Sequence, residues 1–383
     1  MEERCYYLGF SSFSGIGPHK FSLLFDYFHS GKNAWLATKS ELLDAKLGEK
    51  TTEKLEAFRK TFDLEKYAES LEKKQIQFVT LTDTEYPERL KQIPNAPFLL
   101  YMKGSLSCLS EVEGVIRNDT STLLSEKISD GFEKKVIAVV GTRRITSYGR
   151  AVTELFTESL VQAGCVIVSG LALGVDAVAH QATIDTKGKT IAVLGCGVDC
   201  CFPKENLGIY QQILESGGVI VSEFPLSAPP TIGSFPARNR IVAGLSDAVL
   251  VTEGAEDSGA LITADFALQY ERKAFAIPGA ITSSLSKGPY KLLKNGGVLV
   301  TSTEELLEKL GLKGDQRGRG DKRKVVKGDT KDEQKIIELL AQESLRIDDL
   351  IKRIGIASSE LSAVLSMMEI KGFIVLQNGY YSL

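Results

Sequence analysis

The stretch VIAVVGTRRITSYGRAVTELFTESLVQAGCVIVSG, residues 136–170, decides the fold. It opens on five apolar residues, Val136-Ile137-Ala138-Val139-Val140, and turns at Gly141. After a segment of helix length it returns to a second apolar run, Cys165-Val166-Ile167-Val168. Runs this short and this apolar predict strands buried on both faces. Ser147 is placed to cap the intervening helix, expected from Tyr148 to about Val161.

The same pattern recurs outward from that unit. Thr190-Ile191-Ala192-Val193-Leu194, Val219-Ile220-Val221, Ala248-Val249-Leu250-Val251, Ala274-Phe275-Ala276-Ile277 and Val298-Leu299-Val300 come in turn at crossover spacing. These runs predict an α/β core over 136–310, a doubly wound, mostly parallel sheet with helices on both faces. Residues 1–104 form an N-terminal helical domain and lead-in. Phe21 to Phe28, Glu41-Leu42-Leu43 and Lys54 to Phe58 carry helical spacing, and Gly15-Ile16-Gly17-Pro18 breaks the chain. Phe78-Val79-Thr80-Leu81 reads as a short strand, and Pro87, Pro94 and Pro97 keep the chain beyond it irregular.

Two polar seams flank the core. Residues 105–135 carry six acidic and four basic side chains and read as an insertion or linker. Residues 311–331 carry eight basic and three acidic side chains and read as a basic flexible linker, either a solvated tether or one that touches phosphates. Residues 332–383 give three apolar stripes at helical spacing, then Phe373 to Leu376 and Tyr380 to Leu383 around Gln377-Asn378-Gly379, a hairpin signal. Three helices and a hairpin predict a winged-helix domain. Its third helix, Ser358 to Lys371, holds Glu360 and Glu369 with Lys371 as its one cation, a poor phosphate surface.

Composition narrows the function. Over 383 residues, Lys+Arg 46 against Asp+Glu 49 leaves a net charge of -3, which excludes a uniformly basic nucleic-acid coat. Any contact with nucleic acid rests on a local patch. Three histidines, His19, His29 and His180, leave few general bases and argue against a multi-histidine metal site. The N-terminus carries no signal-peptide pattern, and no apolar run reaches the ~20 residues of a membrane span. The chain reads as soluble and cytoplasmic, with six reduced cysteines and no cofactor.

In doubly wound sheets ligands sit beyond the carboxyl ends of the strands. Those ends present Gly141-Thr142-Arg143-Arg144, then Ser169-Gly170 leading to Gly174-Val175-Asp176, then Cys196 to Lys204. Gly141 allows a tight turn, Thr142 offers a hydroxyl and Arg143 a planar fork for phosphate. His180 lies on the next helix, where packing is the plainer reading. Cys196, Cys200 and Cys201 lack the paired spacing or nearby histidine of a zinc site. Next comes Phe235-Pro236-Ala237-Arg238-Asn239-Arg240, with Pro236 read as the start of a helix and Arg238 and Asn239 in its first turn. Cations there oppose the helix dipole, so they imply either a bound anion or a buried partner such as Glu223. Ser258 or Gly259 would open another helix with free amides. No nucleophile–base pair stands out at this rim. Phe202, Phe224 and Phe235 are candidates for base stacking or for core packing.

These motifs resemble the DNA-processing protein family DprA, also called Smf. The matching strings are VVGTRR at 139–144, VSGLALGVD at 168–176, TIAVLGCGVD at 190–199, FPK at 202–204, FPARNRIVAGLS at 235–246, SGALIT at 258–263 and FAIPG at 275–279. TDTEYP at 82–87 and APFLL at 96–100 extend the match. The resemblance implies an extended Rossmann-like core between an N-terminal helical domain of the SAM or helix-hairpin-helix kind and a C-terminal winged helix. It implies a protein without catalytic activity that binds single-stranded DNA, forms a homodimer and helps load a RecA-type recombinase in natural transformation. The resemblance places DNA-binding roles on Arg143, Lys204, Arg238, Asn239 and Arg240, and with the rim residues Gly141, Thr142, Arg144, Ser169, Gly170, Ser258 and Gly259 these make up the expected DNA-binding set. The 105–135 seam is longer than the family's usual junction, and Asn295-Gly296-Gly297 replaces its usual Gly-Ala. Gly15-Ile16-Gly17 looks like a helix-hairpin-helix turn or a plain break. The competing readings are a nucleotide-processing, phosphoribohydrolase-like Rossmann enzyme, whose P-G-G-x-G-T-x-x-E pattern is missing near Thr252 to Glu256, and a pure scaffold.

Overall fold

The computed structural model describes residues 2–104, 134–312, 328, 330–341, 343–377 and 379–382. Most of both polar seams, 105–133 and 313–327, lies outside the described residues, and with it the expectations placed there. The chain divides into two compact units, Met1–Gly314 and Asp315–Leu383.

Six helices lead the first unit: α1 (Cys5–Ser12), α2 (Pro18–Phe28), α3 (Gly31–Leu36), α4 (Lys39–Asp44), α5 (Glu49–Thr61) and α6 (Leu64–Lys73). Then come β1 (Gln77–Thr80), a short α7 (Glu88–Lys91) and β2 (Leu99–Gly104). The alternating region continues as β3 (Val136–Val140), α8 (Ser147–Gln162), β4 (Val166–Ser169), α9 (Val175–Asp185), β5 (Thr190–Val193), α10 (Leu207–Glu215), β6 (Val219–Ser222), α11 (Ser234–Leu245) and β7 (Ala248–Val251). It ends with α12 (Gly259–Gln269), β8 (Lys273–Ala276), α13 (Lys287–Lys294), β9 (Val298–Leu299) and α14 (Thr303–Lys309).

One nine-stranded sheet runs β1-β2-β6-β5-β4-β3-β7-β8-β9. Strands β3 to β9 pair in parallel. Side chains alternate across it, as the pleat requires. Val136, Ala138 and Val140 join Ile241, Val242 and Leu261 of α11 and α12, while Ile137 and Val139 join Phe156, Leu160 and Ala179 of α8 and α9. Helices on both faces leave the central strands dry, which is why they are apolar except at strand ends, where the buried hydroxyls of Ser169, Thr190 and Ser222 bond to backbone carbonyls.

The sheet also takes in residues ahead of position 136. β2 pairs antiparallel with β6, and β1 with β2, so the sheet begins at Gln77. The proline-spaced stretch expected to stay irregular contains a six-residue strand. That strand carries the helical lead-in with it. Phe98 stacks on Phe21 at 4.1 Å between centroids, and Leu99 and Tyr101 share a core with Tyr7, Phe10, Trp35 and Ile220. Gly9 lies against the Trp35 ring, where a Cβ would come within 2.6 Å.

The second unit holds α15 (Lys331–Leu340), α16 (Ile347–Ile354), α17 (Ser358–Ile370) and a hairpin of β10 (Val375–Gln377) and β11 (Tyr380–Ser382), the winged-helix order. Ile336, Leu340, Leu350, Leu361, Leu365 and Met368 form its core.

Candidate nucleic-acid interface

The strand order fixes where a ligand can sit. The chain runs from β3 outward through β4, β5 and β6, then returns to lay β7 on the other side of β3. The loops after β3 and β7 therefore diverge at a switch point and leave a crevice. A cavity of about 470 Å3 opens there, within the ~300–1,000 Å3 range of ligand sites.

The crevice walls are tied together. Thr142 N–H donates to the Glu253 carbonyl at 2.7 Å, and Val175 N–H to the Thr142 carbonyl at 3.1 Å. Gly141 sits where a Cβ would lie 2.5 Å from Val175 Cγ2 and 2.6 Å from the Glu253 carbonyl, so no side chain fits. Glu253 is buried, and its carboxylate accepts from Thr146 N–H at 3.1 Å and Thr146 Oγ1 at 2.7 Å. Thr146, and not Ser147, caps α8, accepting from Gly149 N–H at 3.0 Å.

Arg238 forms the floor. α11 starts at Ser234, two residues before Pro236, so Arg238 is its fifth residue and lies beyond the first turn. The expected conflict with the helix dipole therefore does not arise. Arg238 is 5 % exposed, and its Nη1 donates to the Val193 carbonyl at 2.8 Å. Its Nε is buried without a partner. The guanidinium crosses Gly170, where a Cβ would lie 1.6 Å from Nη1. Asp176 at the start of α9 folds back on the same loop and accepts from Gly170 N–H at 3.1 Å and Ala172 N–H at 3.3 Å. Burial pushes the Asp176 carboxyl up, against the pull of Arg238. Burial lowers the Arg238 guanidinium, and Asp176 opposes that shift.

Behind this pair His180 is fully buried, with Nδ1 2.7 Å from Thr190 Oγ1. Burial, helped by the Arg238 charge, pulls it down to about 3. It is a neutral packing residue and cannot serve the rim as a base. Cys196, Cys200 and Cys201 turn their thiols toward the Cys200 carbonyl, the Asp199 carboxylate and the Pro203 carbonyl. No cluster that could hold a metal exists among the described residues.

Gly141, Thr142, Arg143, Arg144, Gly170, Arg238, Asn239, Ser258 and Gly259 all line the one cavity. Arg143 is exposed and lies over the Phe235 ring, 5.2 Å from its centroid. Arg144 is also exposed. Neither makes an ion pair among the described residues. Asn239 Nδ2 donates to the Gly259 carbonyl at 3.1 Å, fastening α11 to α12. Ser258 caps α12 through Ala260 N–H.

Three expected residues do not line it. Ser169 is fully buried and donates to the Val139 carbonyl at 2.7 Å, tying β4 to β3. Arg240 is 8 % exposed, paired with Glu223 and bonded to the Asn95 carbonyl. It is a structural ion pair, because its face of α11 turns toward α7 and the proline-rich stretch. Lys204 is exposed in a single turn, Lys204–Asn206, outside the cavity. That turn is joined to the rim: Asn206 Nδ2 donates to the Leu171 and Ala172 carbonyls, and the Phe202 ring lies 6.0 Å from Phe235.

Sequence reading did not assign Asp176, Glu253, Ile232 or Ile262 to the site. Asp176 carried a signal, a carboxylate in the first turn after a glycine loop. Ile232 and Ile262 carried none, since isolated isoleucines in loops and helices are ordinary.

A family model described as DNA recombination-mediator protein A matches residues 77–117 and 123–311, and one described as DprA winged helix domain matches 322–379. The chain is 32% identical to Protein Smf of Synechocystis over 98% of both chains. It is similar to the X-ray structure of DNA processing protein A from Streptococcus pneumoniae, with TM-score 0.63 and 30% identity over 79% of this chain and 96% of that one. It is also similar to a structure that reports the single-stranded DNA binding mode of DNA processing protein A from Helicobacter pylori. There the TM-score is 0.50 and identity 30%, over 61% of this chain and 95% of that one.

Proposed function

As this chain belongs to the DNA recombination-mediator protein A family, we propose that its switch-point cavity holds single-stranded DNA for delivery to a RecA-type recombinase during natural transformation. The observation that carries this reading is the convergence of Arg143, Arg144 and Arg238 with the first turn of α12 on one cavity. Two of those cations are exposed and without a carboxylate partner among the described residues, and the third is a nearly buried guanidinium that lines the floor. Such a group fits a chain of phosphates. Lys204, on the turn fastened to the rim, extends the track beyond the cavity. The protein acts as a homodimer, and it works in the cytoplasm by binding rather than by catalysis. No helix among the described residues is long and apolar enough to cross a membrane.

Fluorescence anisotropy of the full chain on matched single-stranded and duplex oligonucleotides, over a salt series, tests the reading. Binding should favour the single strand and weaken linearly in log[salt]. Equal affinity for both forms, or none for either, refutes it.

A further inference from the structure

Ile232 is 92 % exposed, yet it lines the same cavity as Arg143 and Arg238. Such exposure in a flexible loop would mean little, but this loop is held. Thr231 N–H donates to Ser234 Oγ at 3.0 Å, Ser234 N–H donates back to Thr231 Oγ1 at 3.2 Å, and Ser234 Oγ donates to the Thr231 carbonyl at 2.9 Å. Ile232 therefore stands inside a closed turn, after two prolines that stiffen its approach. Ile262, on the first turn of α12, is 38 % exposed and lines the cavity too.

An aliphatic group fixed in water beside guanidinium groups suits a ligand that alternates charge with flat apolar faces. Single-stranded nucleic acid is such a ligand, because its bases can leave the stack. A duplex keeps its base faces stacked and offers an isoleucine nothing but phosphate and groove edges. We propose that Ile232, with Ile262, is the base-contacting wedge that makes this site prefer unstacked DNA. The proposal rests on the single-strand reading of the cavity and adds the residue that sets strand preference.

The test uses the full chain, an oligothymidylate about 20 nucleotides long and a matched oligonucleotide of abasic sites. Ile232→Ser should weaken oligothymidylate binding about 5- to 10-fold with the salt slope unchanged, because no phosphate contact is lost. Ile232→Leu should restore binding to within about twofold. On the abasic oligonucleotide the wild type and Ile232→Ser should bind alike. Unchanged affinity of Ile232→Ser for oligothymidylate overturns the proposal, and so does an equal loss on the abasic strand. A change in molar mass by light scattering on Ile232→Ser overturns it in favour of a contact between copies of this chain. Failure of the wild type to bind oligothymidylate at all is a different result, and removes the single-strand reading itself.

Discussion

Two arginines of the cavity carry their charge under opposite conditions. Arg143 is in water and braced on Phe235, whereas Arg238 is buried beneath the glycine loop. On the proposed reading the contribution of Arg143 to binding is electrostatic, and its removal should leave the fold alone. Arg143→Ala should lower DNA affinity and reduce the slope of log K against log[salt] by about 1, with an unchanged melting temperature. Anisotropy over a salt series and a thermal scan check both halves. Arg240, two residues beyond Arg238 in the same motif, should behave otherwise. Its pair with Glu223 is internal, so its loss is a loss of stability. A buried histidine adds a pH limit. His180 is held at about 3 in the folded chain, below the ~6.5 of a free imidazole. The unfolded chain therefore takes up a proton between those values and the folded chain does not, so stability falls as pH falls through that window. Asp176, raised by burial, acts in the opposite direction. Melting temperatures between pH 7 and 5 should fall more for the wild type than for His180→Gln.

At the level of elements, legibility tracked dryness. The strands from Val136 to Val251 are covered on both sides, so they are apolar apart from hydroxyl residues at strand ends, and the runs are plain in the sequence. β2 was hidden, because Pro94 and Pro97 precede it and its partner β6 lies far along the chain. The start of α11 was misplaced by two residues, since the turn closed by Thr231 and Ser234 sets it ahead of Pro236. The glycine loops of the site were legible, because close approach demands glycine. Glu223 is legible as a possible buried partner of the motif, and the fold gives it to Arg240; the depth of Arg238 is not, because it depends on Asp176 and the glycine loop, which only the fold brings near. Gly170 follows β4 and lies against the Arg238 guanidinium. Gly170→Ala should push that group from its bond to Val193. The expected result is a loss of about 1–3 kcal/mol in unfolding free energy together with weaker single-strand binding. Chemical denaturation and anisotropy read the two effects, and a variant that keeps both would show that Arg238 has room to move.

Across the whole molecule, a net charge of -3 means the cavity works against its background. Long-range attraction to a polyanion is therefore weak, and capture at the proposed site would depend on groups within a Debye length of the rim. Added salt screens the background repulsion along with the local attraction, so the slope of log K against log[salt] should reflect only the few phosphates held at the rim. The winged-helix unit adds little attraction through α17, which exposes Glu360, Glu369, Met367 and Ile370.

The buried Arg238–Asp176 arrangement also sets stability against binding. Taking a guanidinium and a carboxylate out of water disfavours folding, and apolar groups of like size usually do better in such a place. The double variant Asp176→Asn with Arg238→Met should therefore melt at or above the wild-type temperature while losing grip on DNA, which calorimetry beside anisotropy would reveal. On the proposed reading, a sturdier protein at this spot would give up its readiness to receive a strand. The desolvation of that arginine is settled once, when the chain folds, and would not have to be met again by each strand that arrives.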